Sequence, residues 1–404
     1  MARKKTVLLM TVGTGMDDGK SLSHGIFYSI EHHNPDKIIF FGSDASKNTI
    51  THIEDDINED YGGYEFVQVD NIDEFKDFFA AIKEKILEFN EDKVIIDYTS
   101  GTKTMTAAAA FASMVYHKNL VVVGGNRENG LIKSGTEKII SQNLYPIYDD
   151  LMMEKVRELF NSNRFEAGKA ILEDIVEAEN KDVYVQLFDI YYNFDNINYE
   201  KAFELFPNEF LKELLQTFPD LKSQIPQNRQ ALQTMADKKH KFRCHYILAS
   251  LLNNAKRRAG EGKYDDAIAR LYRSFELIAQ IRLKEKYKIN TSNVDLEILE
   301  KRGLDKEYLD NLESIKSDGK IKIGLAKDYD LLYHLDDDLG SFYNENKGMA
   351  KNYISFRNES VLAHGLKYQT FENYDKFEEL VINAAAILTP DLDRLLNQTK
   401  FPNI

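Results

Sequence analysis

The chain has a single cysteine, Cys244, in 404 residues. This excludes an intrachain disulfide and a cysteine-rich zinc site, and it points to a reducing, cytoplasmic setting. Long apolar runs are also missing. No stretch approaches the roughly 20 residues that a transmembrane helix needs. The run Val7–Val12 behind Met1-Ala-Arg-Lys-Lys5 is too short for a secretory signal and is expected to be a first strand, so no membrane role is expected. Positive charge is scarce as well: 52 Lys and Arg face 66 Asp and Glu, for a net charge of −14. A protein that coats nucleic acid without a defined site is usually basic. Any nucleic-acid role must therefore use a local patch, and Lys256–Lys288 is one, with ten Lys and Arg against five Asp and Glu.

What is present suits two or three domains rather than one core. In the first ~145 residues, short β-rich runs alternate with helical patterns. Strands are expected at Val7–Val12, Lys37–Phe41, Glu65–Val69, Lys93–Asp97 and Asn119–Gly124. Several are continuous apolar runs, as in parallel strands buried on both faces. Between them, Glu74–Phe89 places Phe75, Phe78, Phe79, Ile82 and Ile86 at helical spacing. This alternation predicts a doubly wound, Rossmann-like sheet. From Asp149 onward few Gly or Pro interrupt a helical pattern, and hairpin turns are expected at Asn161–Asn163 and Gly260–Gly262. The fold class is thus α/β followed by all-α. The expected divisions are 1–148 for the Rossmann-like domain, 149–240 for a helical connector and 241–404 for a C-terminal helical domain.

Two loops lie at the carboxyl ends of strands, where open parallel sheets bind ligands. The first contains Gly13, Thr14 and Gly15. The second runs Asp97-Tyr98-Thr99-Ser100-Gly101-Thr102-Lys103 into an Ala-rich helix. Glycines allow close backbone approach, hydroxyls donate hydrogen bonds, and amides at a helix start favour anions. Lys103 adds a point charge for phosphate. Neither loop is a Walker A motif or a complete dinucleotide fingerprint, so an ATP or NAD cofactor is not expected.

Near the C-terminus stands Arg357-Asn358-Glu359-Ser360-Val361-Leu362-Ala363-His364-Gly365. On a continuous helix, Arg357 and His364 return to nearly one face, roughly 10 Å apart along the axis. A guanidinium stabilises charge developing on a phosphate, and an imidazole can move a proton at a ribose hydroxyl. That chemistry needs no metal. One such pair is sparse for two proton transfers, and a two-fold dimer would supply a second.

These residues resemble the CARF–HEPN ribonucleases that accompany type III CRISPR systems. The two loops look like the ligand loops of a CARF sensor. Arg357-Asn358 with His364 fits the Arg-x(4–6)-His signature of HEPN ribonucleases. The segment Tyr264-Asp-Asp-Ala-Ile-Ala-Arg-Leu-Tyr-Arg-Ser-Phe-Glu276 looks like an early HEPN helix. The resemblance implies a homodimer whose paired CARF domains bind a cyclic oligoadenylate, with tetra-adenylate favoured and hexa-adenylate second. Gly13, Thr14, Gly15, Thr99, Ser100, Gly101, Thr102 and Lys103 would line that pocket. It further implies a composite site in which Arg357, Asn358 and His364 of both subunits cut RNA, with Asn358 orienting the phosphate or the histidine. Single-stranded RNA is expected, because in-line attack needs a flexible backbone and a 2′-hydroxyl. Arg257, Arg258, Arg270 and Arg273 are the residues expected to hold the strand.

Other side chains carry less. His32-His33 is expected in an exposed polar loop, and Asp336–Asp338 in a solvated turn. His240 and His245 have neither HExxH nor zinc-cluster spacing. Two rival functions stand beside the ribonuclease: a ring nuclease that degrades its own activator, and a non-catalytic CARF regulator.

Overall fold

The computed structural model describes residues 3–15, 20–128, 131–360 and 365–404. His364 lies outside them, as does the side chain of Asn358. The chain forms two compact units. One comprises residues up to 154 together with 173–179, and the other comprises 155–172 and 180–404.

The first unit is built on strands β1 (Thr6–Thr11), β2 (Lys37–Gly42), β3 (Glu65–Gln68), β4 (Lys93–Asp97) and β5 (Asn119–Gly124). All five match expected strands to within a residue or so at their ends. A small hairpin follows, made of β6 (Arg127–Glu128) and β7 (Leu131–Ile132), and then β8 (Lys138–Gln142). The main sheet runs β3-β2-β1-β4-β5-β8, parallel except for β8, which is antiparallel to β5. The edge strand β8 was not foreseen. It pairs on one side only and is half-buried at best, so it lacks the continuous apolar run that marks a central strand.

Alternation along the parallel strands fills both faces. Leu9, Ile39, Phe41 and Ile96 pack with Phe78 and Ile82 of helix Phe75–Glu88 and with Ala108 and Ala112 of helix Lys103–Val115. Leu8, Met10, Phe40 and Ile95 pack on the other face with Ile26 and Ile30 of helix Lys20–His33. His32 and His33 form the last turn of that helix, not a loop. Burial, with His32 and Lys93 nearby, pushes the His33 imidazole down to about 4. The segment 173–179 is fastened to this unit by Asp149, whose fully buried carboxylate accepts the amides of Val176 (3.0 Å) and Glu177 (2.6 Å).

From Tyr145 on the chain is helical, and its helices break at both expected turns: Tyr145–Asn161 gives way to Phe165–Asp174, and Arg243–Gly260 to Tyr264–Tyr287. Phe160, Phe165, Phe188, Tyr191, Phe194 and Phe401 form one aromatic cluster, with Tyr191 and Phe401 4.8 Å apart. A second gathers on Phe275 of helix Tyr264–Tyr287, with Tyr329, Tyr343 and Phe377 around it. Asp337 corrects the expectation of a solvated turn. It is fully buried, caps helix Asp338–Glu345, accepts from Lys286 Nζ at 2.8 Å and Tyr287 Oη at 2.9 Å, and lies 3.7 Å from Arg282. Among the described residues no helix is long and apolar enough to cross a membrane.

Candidate functional site

In the sheet, β1 and β4 are neighbours, and Met10 pairs with Asp97. The two expected loops therefore leave the sheet side by side. With strand order 3-2-1-4-5, this is the point where the connections diverge to opposite faces and open a crevice. The loops touch. Gly13 N donates to Ser100 Oγ at 2.9 Å, and Thr11 Oγ1 donates to the Ser100 carbonyl. A Cβ on Gly13 would meet the Gly101 backbone at 3.2 Å, and Gly101 itself has φ +124°. Two glycines thus let the strands' ends close on each other. Thr102 caps helix Lys103–Val115 through Met105 N (3.3 Å), leaving Lys103 exposed at the helix start.

Not every expected ligand side chain is turned to a ligand. Ser100 is buried and spends its hydroxyl on Gly13. Thr99 Oγ1 accepts Val123 N at 2.8 Å, tying the loop to β5. Thr14 and Gly15 are exposed. Three supports were not foreseen. Thr49 Oγ1 donates to the Gly13 carbonyl at 2.7 Å. Asp97 is buried and accepts Thr99 N at 2.7 Å and the Ser29 hydroxyl. Burial pushes the Asp97 carboxyl above the usual range, against the lowering effect of those hydrogen bonds.

In the helical unit, Arg357 sits in the last turn of helix Lys347–Glu359. That helix ends at Glu359. Ser360 leaves it in an extended conformation. The carbonyls of Phe356 and Glu359, which a longer helix would offer to residues 360 and 363, are taken instead by the buried Gln369 side chain (3.1 Å) and by Lys367 N (3.0 Å). Gly365 N donates to the Ser360 carbonyl at 3.1 Å, and a Cβ on Gly365 would run into the Glu359 backbone.

The Arg357 guanidinium lies over the Tyr272 ring, 5.1 Å from its centre. Glu276, Arg357, Asp328 and Arg273 all act on that phenol, whose pKa is raised chiefly by burial. Asp328, on helix Leu325–His334, is fully buried, and neither carboxylate oxygen has a hydrogen-bond partner. Burial first, and Glu276 next, push it up to about 7 while Arg273 opposes them. Neither Tyr272 nor Asp328 was singled out from the sequence.

The four arginines expected to hold a strand divide. Arg257 Nε lies 2.8 Å from Asp195 Oδ1, with its guanidinium 3.7 Å from the centre of the Phe401 ring. Arg258 pairs with Asp195 and Glu261. Arg270 bonds Asn254 and Asp266. All three thus have partners within the protein, and Arg258 and Arg270 also line a cleft of about 480 Å³. Burial pushes Arg257 down to about 9. Arg273 is 46% exposed, though it reaches Glu276 at 2.6 Å.

A family described as the Csm6 HEPN domain matches residues 236–388, and one described as the Csm6 6H domain matches residues 148–242. The chain belongs to the Csm6 family. A solved structure of Enterococcus italicus Csm6, bound to cyclic hexa-2′-fluoro-hexa-dAMP, is similar over 98% of this chain and 98% of its own, with TM-score 0.64 and 12% identity. At that identity the likeness concerns the fold. No curated protein matches the sequence. Tyr272, Asp328 and Arg357 all lie within the residues that the HEPN model matches.

Proposed function

We propose that this protein is a cyclic oligoadenylate-activated endoribonuclease that cuts single-stranded RNA without a metal. The observation carrying it is Arg357, presented on a helix end against Tyr272 within a HEPN domain. A ribose 2′-hydroxyl attacks the adjacent phosphate, the 5′-oxygen leaves, and a 2′,3′-cyclic phosphate results. Arg357 offsets the charge that builds on the phosphoryl oxygens, His364 moves the proton, and Asn358 orients one or the other. Two copies complete the site. Leu366, Tyr368 and Phe371, just beyond the Arg357 helix, are 92%, 68% and 56% exposed; such an apolar patch favours a partner surface, here a second copy.

The activator reading rests on the loop pair at Gly13 and Gly101. Its hydroxyls are largely occupied in holding the loops together, which favours a binding cradle over an activator-cleaving one. Cyclic tetra-adenylate is the ring common in the family, and the six-membered ligand of the Enterococcus relative supports cyclic hexa-adenylate beside it.

The test uses a quenched fluorescent RNA in EDTA with cyclic tri-, tetra- and hexa-adenylate added separately, alongside His364→Ala. Cleavage that follows one ring, survives EDTA and is lost in the variant is the expected result. Binding of a ring without cleavage would leave a sensor lacking this effector and would overturn the proposal.

A further inference from the structure

Arg257, Arg258 and Arg270 each have a carboxylate partner, whereas an RNA strand is held best by cations that have none. They are found at the junction of helix Arg243–Gly260 and the C-terminal end of helix Tyr264–Tyr287. A cleft of about 650 Å³ there is lined by Lys238, Lys239, Lys241, Arg243, Lys284 and Lys288, with Glu285 as its one carboxylate. Glu285 is already shared with His245 at 3.1 Å. Glu200 lies 3.9 Å from Lys238 and 3.8 Å from Arg243. Among the described residues, Lys239, Lys241 and Lys284 form no ion pair. Six cations crowded together in a protein of net charge −14 repel one another, and a polyanion relieves that repulsion.

An exposed aromatic ring stands next to the cleft, on the side of a neighbouring cavity. Phe242 is 48% exposed, with Lys241 Nζ 4.5 Å from its ring centre. It borders a second cavity, of about 550 Å³, with His245, Tyr246 and Arg394, and His240 lines both. Ammonium groups beside an exposed ring and a cavity large enough for a base are what a flexible nucleic-acid strand uses: cations track its phosphates while a ring stacks a base. An acidic polypeptide would use the lysines alone. Lys284 and Tyr272 share one helix and stand twelve residues apart, about 18 Å along the axis, so one strand can span both.

We infer that this groove, from Lys239 and Lys284 to Phe242, binds the single-stranded RNA substrate. The inference rests on the ribonuclease reading but is tested by binding alone. A labelled 2′-O-methyl RNA, whose blocked 2′-oxygens cannot attack, is titrated into full-length protein with cyclic tetra- or hexa-adenylate over a salt series. For Lys239→Gln with Lys284→Gln, binding falls several-fold and the log–log salt slope shrinks by about 1.4, or ~0.7 per lysine on a single strand. Phe242→Ala weakens binding with the slope unchanged. Cys244, the sole cysteine, lines the cleft, so bound RNA also protects it from maleimide in the unaltered protein. Wild-type slope in the double variant, with Cys244 still open at saturating RNA, overturns the groove whether or not the protein cuts RNA. Protection by poly-glutamate but not by RNA overturns it in favour of an acidic protein partner. A protein that binds this RNA through the groove yet never cleaves a natural one leaves the groove standing and removes the ribonuclease.

Discussion

Arg357 rests its guanidinium on the face of Tyr272, 5.1 Å from the ring centre. A guanidinium held flat keeps its fork of donors in a fixed direction, which a lysine cannot reproduce. Tyr272→Phe keeps the ring and is expected to cleave RNA at close to the wild-type rate. Tyr272→Ala lowers kcat by between about two- and thirty-fold, the span of a cation–π contact of 0.5–2 kcal/mol. Arg357→Lys costs about a hundredfold or more, with ring binding unaltered. Steady-state kinetics on the activated enzyme checks all three.

Asp328 makes stability depend on pH in an unusual direction. Its carboxyl, ordinarily near 3.8, is raised to about 7 in the fold, so between those values the native state holds a proton that the unfolded chain has released. Stability therefore falls as pH rises from about 4 to 7, then levels off. Asp328→Asn removes the effect. Its melting temperature is expected to match wild type near pH 4 and to exceed it increasingly toward pH 7, with a plateau near roughly 4 kcal/mol. Equal differences at all pH values would assign Asp328 another role.

Asp195 gives the buried arginines their test. It joins Arg257, Arg258 and Asn254 with little exposure of any of them. Asp195→Ala leaves the buried Arg257 without its carboxylate, while Arg258 keeps Glu261, and is expected to destabilise the helical unit by about 3–5 kcal/mol. Arg273→Gln, at a half-exposed position, changes stability by no more than about 0.5 kcal/mol. Urea unfolding of the two variants separates structural arginines from the exposed one.

Gly13→Ala probes the activator cradle. The added Cβ meets the Gly101 backbone at 3.2 Å and Ser100 Oγ at 3.5 Å, forcing the loops apart. Overpacking of this kind costs about 1–3 kcal/mol, so the activator concentration for half-maximal cleavage rises about tenfold. The rate at saturating activator stays near wild type.

The parallel sheet was legible because central strands must be apolar on both faces, and Val7–Val12 or Lys93–Asp97 can hardly be anything else. β8 was not, since Lys138–Gln142 is an edge whose side chains are only partly covered. Counting charge along Lys256–Lys288 located cations but not their partners. Asp195 comes from some sixty positions upstream, and only the packing of Arg243–Gly260 brings it to Arg257. The cleft cations were divided in the same way, with Lys238–Arg243 in one stretch and Lys284 and Lys288 in another. The end of the Arg357 helix at Glu359 has a long-range reason too. Its terminal carbonyls are claimed by Lys367 and Gln369, a competition that helix spacing does not display.

The strip 173–179 has a practical consequence for dissecting the chain. Because it belongs with the first unit while the residues on either side of it belong to the second, no single cut separates the halves. A fragment ending at residue 154 would keep Asp149 but lose the amides of Val176 and Glu177 that satisfy it. A fragment beginning at residue 155 would carry Ile175, buried in the whole protein, on a strip that has lost its Asp149 anchor. The chain passes between the two units three times, so a clean dissection keeps that strip with the first and removes it from the second.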